Sequence, residues 1–331
     1  MRAVLSMVLL SMSIAALPAG AANSLFDQGI ELRDVTLTQK MHFLAGFDSP
    51  FTYALSPERM RFAYVPALNG NQPSEELRVS DIRGRDPVVI HAPAPIVQLA
   101  WAPRGGPIAL VAGDGIWLVQ SDGTGLHRVA DYGLGLAWSP GSKELAMYRR
   151  ERGSDRYEIS VLTIATGNVR DVAEGTGPSW SPDGSSLLYN WSDEKAHMLD
   201  EIRVVPAEGG SPRTLAHGWA QTWSPDGRRI AFVRPTRTSP AGVWVMRTNG
   251  GEGGARLVTR RAATPTWLPG SRYILLEEEH RSDACGYRTT LSIVSASGGK
   301  ISRLLVSRSA GQPLAWNPKG HKLMYFKYVC P

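Results

Sequence analysis

Three arginines, Arg149, Arg150 and Arg152, crowd one short stretch beside Glu151 and Asp155. Guanidinium groups set this closely could clasp a carboxylate or phosphate through paired, charge-assisted hydrogen bonds. The same residues also read as a solvated loop with internal ion pairs. Further along, Trp191 precedes Asp193, Glu194 and His197. An aromatic ring with acids beside it is what a sugar platform needs, and equally what an exposed loop with one packing aromatic contains. His91, His197, His217 and His280, with the acids Glu277, Glu278 and Glu279, could supply a nitrogen and oxygen shell. Their spacing follows no metal motif, so neither a metal nor a cofactor is assigned. No Gly-x-Ser-x-Gly nucleophile elbow occurs, and no catalytic residue is assigned.

What must position these residues is a repeat. Trp180-Ser181-Pro182-Asp183-Gly184 and Trp223-Ser224-Pro225-Asp226-Gly227 are near-identical, and relatives stand at Trp138, Trp267 and Trp316. Trp101-Ala102-Pro103 and Leu55-Ser56-Pro57 are weaker copies. The prolines Pro57, Pro103, Pro140, Pro182, Pro225, Pro269 and Pro318 recur on average every 43.5 residues, the period of a four-stranded propeller blade. A short apolar stretch follows each turn, then a variable loop, a second apolar stretch such as Val243-Trp244-Val245-Met246, a glycine turn and a last strand. Proline presets φ for the turn and Asp-Gly closes it, while the indole fills the wedge between blades. The tryptophans read as scaffold.

The expected fold is all-β: a seven-bladed β-propeller of four-stranded antiparallel blades, strands A to D from the inside out, with six blades as the alternative. The last copy of the turn leaves room for one more strand before Pro331. Two early candidates, Ile30–Val35 and Met41–Leu44, are expected to pair with that blade and close the ring over residues 22–331, removing an open edge. A–B and C–D turns then share one face. B–C and D–A connections share the other, the loop face, where Val65–Glu76, Arg149–Arg156, Asn190–Glu201, Arg234–Gly242 and Glu277–Thr289 read as the longest loops. Variable loops on a rigid ring are where binding concentrates. Cys285 and Cys330 fall on that face in neighbouring blades, so a disulfide between them is expected; two separate thiols are the other reading.

These Trp-Ser-Pro-Asp-Gly copies resemble the TolB-type, WD40-like repeat called PD40, over roughly residues 40 to 331. The resemblance implies a propeller that serves as a protein-binding platform, a domain beside a peptidase, or a polysaccharide lyase. Too few residues precede the first turn for the N-terminal α/β domain of TolB proper, so a propeller without that domain is expected.

Composition bounds the remaining choices. Of 331 residues, 43% are hydrophobic and 20% charged, as in a folded globular chain. The net charge of +6 comes from 36 basic residues, 29 of them arginine, against 30 acidic ones, with no long run of one sign. No nucleic-acid partner is expected. Met1-Arg2, the apolar stretch Ala3–Leu17 and the small residues before Ala21 read as a secretory signal peptide, residues 1–21, with no stable membrane insertion after cleavage. The functional expectation is an exported, periplasmic or secreted scaffold that binds an envelope or secreted protein through its loop face, by Arg149, Arg150, Arg152, Trp191, Asp193, His197, His217 and His280. The alternative is a polysaccharide lyase or hydrolase with a His/acid or metal site at the channel mouth, for which a glycan is the ligand.

Overall fold

The computed structural model describes residues 50–58, 61–68, 72–81, 87–150, 153, 156–192, 200–236, 241–261, 263–282, 286–307, 313–317 and 322–325. The leader, the strands proposed around Ile30 and Met41, and both cysteines lie outside the described residues.

Six four-stranded antiparallel sheets follow one another along the chain. Blade 1 comprises Pro50–Leu55, Arg61–Leu68, Glu76–Asp81 and Val88–His91, with the short strand Gln72–Pro73 also on its second strand. Blade 2 is Ile96–Trp101, Ile108–Ala112, Gly115–Val119 and His127–Asp131. Blade 3 is Leu134–Trp138, Glu144–Arg150, Tyr157–Thr163 and Val169–Glu174. Blade 4 is Thr176–Trp180, Ser186–Trp191, Glu201–Pro206 and Arg213–His217. Blade 5 is Trp219–Trp223, Arg229–Arg234, Gly242–Arg247 and Arg256–Thr259. Blade 6 is Thr264–Trp267, Tyr273–Ser282, Gly286–Ser295 and Ser302–Ser307. A hairpin, Pro313–Asn317 with Lys322–Tyr325, follows. The structure therefore supports a six-bladed propeller and corrects the expectation of seven. A copy of the turn needs four strands around it to make a blade, and the copy at Trp316 has two among the described residues.

Packing explains why the period is one blade. The apolar clusters lie between successive blades, not within them: Ala63, Leu77 and Ile90 of blade 1 meet Ile96, Ile108 and Leu110 of blade 2, and Leu188 and Ile202 of blade 4 meet Ile230, Phe232 and Met246 of blade 5. Blades 2 to 5 each bury both faces against their neighbours, so strands such as Ile108–Ala112 are apolar throughout.

The tryptophan that ends strand A adds a directed bond to this packing. Its indole Nε1–H donates to the carbonyl just before the tryptophan of the preceding blade: Trp138 to Ala100 O at 3.0 Å, Trp180 to Ala137 O at 2.9 Å, Trp223 to Ser179 O at 3.1 Å and Trp267 to Thr222 O at 3.2 Å. Trp138, Trp180 and Trp267 are buried. Below them the turn closes on itself. Ser181 Oγ donates to Asp183 Oδ1 at 2.6 Å, and that oxygen also takes the Ser185 N–H at 3.0 Å. Hydrogen bonds from Ser181 and Ser185 hold the Asp183 carboxyl below the usual carboxylate range.

A second series stitches the outer edge. Arg170, Arg213 and Arg256 occupy the same place in strand D of blades 3, 4 and 5, and each donates to carbonyls of the next blade's C–D turn: Ala207 O at 3.3 Å, Gly250 O at 3.0 Å and Ala296 O at 3.4 Å respectively.

Strand A is bulged. In blades 3, 4 and 5 three residues of A span two of B, between Leu134 and Ala137, Thr176 and Ser179, and Trp219 and Thr222. The bulge carries a left-handed residue, Gly135 (φ 67°), Gly177 (φ 62°) and, in blade 5, Ala220 (φ 51°). A Cβ in that region costs about 1 kcal/mol or more. Ala220→Gly is therefore expected to raise stability by about 0.5–1 kcal/mol, read as a higher urea midpoint at unchanged m-value; a lower midpoint would show that the Ala220 methyl contributes more by packing than it loses in strain.

Candidate functional site

The loop face is held flat by glycine. At the D–A junctions Gly175 and Gly218 have φ of 151° and 149°. A Cβ at Gly175 would run into the carbonyl oxygen of Asn190, and one at Gly218 into that of Val233. The connections thus lie directly on the next blade's B strand, over Tyr189 and Phe232.

Above that floor, blades 3 to 5 each place an arginine toward the loop-face end. In blade 4, Arg203 of strand C lies over the Trp191 ring of strand B, 3.8 Å from its centroid. In blade 5 the two residue types exchange strands: Arg234 of B lies over Trp244 of C, again at 3.8 Å. Blade 3 has no such ring, and Arg149 instead donates to Asp171 Oδ1 at 2.7 Å, which also accepts from Ser160 Oγ at 2.7 Å. Burial pushes the Asp171 carboxyl up, but the bonds from Ser160 and Arg149 outweigh it and hold the group below its ordinary range. Glu201 is likewise held low, chiefly by the Arg203 hydrogen bond at 2.8 Å, with help from Thr214 Oγ1 at 2.6 Å. His217, at the end of strand D, pairs in register with Glu201.

The end of blade 3 carries a tyrosine cluster that sequence reasoning did not find. Tyr148 and Tyr157 meet edge to face at 5.6 Å. Burial, with smaller contributions from the neighbouring phenols, raises the pKa of Tyr148 and of Tyr132 in the connection from blade 2. Tyr132 and Tyr157 stand 44% and 41% exposed, two of the four exposed large hydrophobic side chains among the described residues. The Tyr148 ring is seated on the bulge, since a Cβ on Gly135 would lie 2.6 Å from it. Arg150 pairs in register with Tyr157 and flanks the cluster.

The sequence-derived candidates divide accordingly. Arg149 and Arg150 belong to strand B, not to a loop; Arg149 is engaged with Asp171, and Arg150 is exposed beside the tyrosines. Arg152, Asp193 and His197 lie outside the described residues, as do Cys285 and Cys330 and any bridge between them. Trp191 is half-buried under Arg203. His217 and His280 stand on blades 4 and 6 with blade 5 between them. Among the described residues no three His, Cys, Asp or Glu side chains are grouped to hold a metal ion. No helix among them is long and apolar enough to cross a membrane, which says nothing of membrane β-barrels. Two of the expected long loops are largely ladder: Gln72–Pro73 folds back on Arg61–Leu68, and Glu277–Thr289 continues strands B and C of blade 6.

The family profile described as PD40, TolB beta propeller domain, matches residues 58–320. The Tol-Pal system protein TolB of Escherichia fergusonii is 48% identical over 54 residues, 16% of this chain and 13% of that protein. The protein of the same name from Erwinia tasmaniensis is 38% identical over 79 residues, 22% of this chain and 18% of that one. The chain thus spans less than a fifth of these relatives' length. Among solved structures, TolB from Acinetobacter baumannii superposes with a TM-score of 0.52 at 22% identity, over 75% of this chain and 66% of that one. An oligogalacturonate lyase in complex with manganese gives 0.62 at 13% identity, over 78% and 77%. At these identities the structural likeness is one of fold.

Proposed function

Since the chain belongs to the PD40 family of TolB beta propeller domains, we propose that it is an exported binding platform of the cell envelope, taking a protein partner on its loop face. The observation that carries this reading is the cluster of Tyr132, Tyr148 and Tyr157 beside Arg150. Tyrosine and arginine are the residues that dominate binding energy at protein interfaces, because they bring large contact area with few rotors and a polar end. Here the Tyr148 ring at the centre of the contact is seated on the strand A bulge at Gly135, which leaves less ordering to be done on binding. The name of the curated relatives places those proteins in the Tol-Pal system, which supports an envelope partner. The leader read in residues 1–21 supports export to the periplasm or beyond it.

The test is capture of partners from an envelope extract on the immobilised mature chain, followed by affinity measurement with the partner identified. Tyr132→Ala together with Tyr157→Ala should weaken binding about tenfold or more, while Lys143→Ala, on the opposite face next to the A–B turn, leaves it unchanged. Equal affinity for the tyrosine variant and the parent would remove this surface from the proposal.

A further inference from the structure

The first residue of strand B holds the same address in successive blades. Its N–H donates to the serine of the A–B turn, as Arg61 does to Ser56 Oγ, Glu144 to Ser139 Oγ, Ser186 to Ser181 Oγ and Arg229 to Ser224 Oγ. Four blades can therefore be compared place by place at their turn-face ends. In blade 1, Arg61 stands opposite Asp81 of strand C. In blade 3, Glu144 accepts from Arg170 of strand D at 2.7 Å. In blade 4, Ser186 stands opposite Pro206, and only the strand D residue, Arg213, is charged. Blade 5 departs from this balance. Arg229 of strand B stands opposite Arg247 of strand C, and Arg256 follows on strand D.

Residues paired across a ladder, and those two apart along a strand, share one side of the sheet. Arg229 and Arg247 are partners, and Arg256 pairs with Val245, two residues before Arg247. All three therefore leave blade 5 on the side of blade 6. Two contacts agree. Arg229 donates to Ser271 O and lies over the Trp267 ring at 5.0 Å, and Arg256 donates to Ala296 O at 3.4 Å. Each of these guanidiniums spends one of its five N–H donors there. Arg247, on the strand between them, is exposed and has no hydrogen-bond or ion-pair partner among the described residues. Asp226 of the A–B turn is within electrostatic reach of Arg229, but its carboxylate accepts from Ser224 Oγ at 2.6 Å and from the Arg228 N–H at 3.1 Å. One carboxylate against three guanidiniums leaves the place positive. Like charges set directly opposite destabilise a ladder, a cost that blades 1, 3 and 4 avoid.

We propose that the turn-face end of the joint between blades 5 and 6 binds a phosphate monoester group, seated on Arg247 between Arg229 and Arg256. The ligand supplies there the negative charge that Asp81 and Glu144 supply in blades 1 and 3. A phosphate monoester suits the place better than a carboxylate does. It carries close to two charges and three acceptor oxygens, one for each guanidinium, and neighbouring strands about 4.8 Å apart set the three donors around it. The site lies on the face opposite the tyrosine cluster and does not depend on it.

Thermal melting of the mature chain reads the site in millimolar inorganic phosphate, too dilute for its general salting-out effect, against chloride of equal ionic strength. The parent's melting temperature should rise with phosphate and saturate. Arg247→Glu sets an acid opposite Arg229, as Asp81 stands opposite Arg61. It should melt above the parent in chloride and bind phosphate at least tenfold more weakly. Lys143→Ala, which removes a charge from the same face on blade 3, should respond as the parent does. Vesicles of phosphatidylcholine with and without phosphatidic acid, itself a phosphate monoester, distinguish the source. Binding that requires phosphatidic acid and is competed by phosphate assigns the ligand to a lipid surface; phosphate binding without vesicle binding assigns it to a soluble ester, and either supports the site. A parent that melts alike in the two salts, an Arg247→Glu variant that responds to phosphate as the parent does or melts below it in chloride, or a Lys143→Ala variant that loses the response would each overturn the proposal.

Discussion

Trp180→Ala is expected to destabilise the propeller by about 3–5 kcal/mol, the range for removing a large buried aromatic. The ring is 8% exposed and lies among Ala137, Ala146, Ile159 and Leu187, at the joint of blades 3 and 4. Its loss opens a cavity where two sheets meet, and neither sheet can close it without moving its own strands. Trp180→Phe separates the two contributions. Phenylalanine keeps most of the fill but leaves the Ala137 carbonyl without the indole donor it has at 2.9 Å, a cost of about 1 kcal/mol. Chemical denaturation of both variants checks the ordering. An alanine variant no less stable than the phenylalanine one would mean that the indole contributes by its hydrogen bond alone.

Gly218→Ala should cost about 2 kcal/mol or more, although it adds a single methyl on the surface side of the fold. The residue has φ 149°, and a Cβ there meets the Val233 carbonyl carbon at 3.2 Å and the Phe232 ring at 3.2 Å, besides the carbonyl oxygen itself. A backbone carbonyl paired in a ladder cannot swing aside as a side chain can. The strain must lift the D–A connection off blade 5. Gly209→Ala is the control: it lies in a C–D turn with φ 95° and no atom within 4 Å of a built Cβ, so it tests left-handed strain without the collision. If the two variants melt together, the collision is relieved at little cost and the connection is more compliant than its contacts suggest.

The parts legible in the sequence are those whose physics is local. Ser-Pro-Asp-Gly forms its turn through bonds two to five residues apart, so its copies announce the blade and its period wherever they occur. Blade count is a different matter, because completing a sheet needs strands that sequence spacing alone does not supply; the copy at Trp316 looked like a seventh blade and has a hairpin around it. The engagement of Arg149 was hidden from the sequence for a related reason. Its partner, Asp171, lies 22 residues on and two strands away, brought there by the ladder. Tyr132, Tyr148 and Tyr157 come from a connection and two different strands, and nothing in their spacing marks them as neighbours. Their one local sign is Gly135, whose missing side chain makes room for the Tyr148 ring.

The exchanged pairs of blades 4 and 5 bear on how such a ring can change over generations. Trp191 with Arg203, and Arg234 with Trp244, make the same contact with donor and ring on opposite strands. A recombination that carried strand B of one blade into the other, without its own strand C, would bring together two rings or two like charges. Exchange of whole B–C hairpins between these blades would keep each guanidinium on a ring, whereas exchange of single strands would not, so on this side of the molecule the contact belongs to the hairpin, a smaller unit than the blade that the turn advertises.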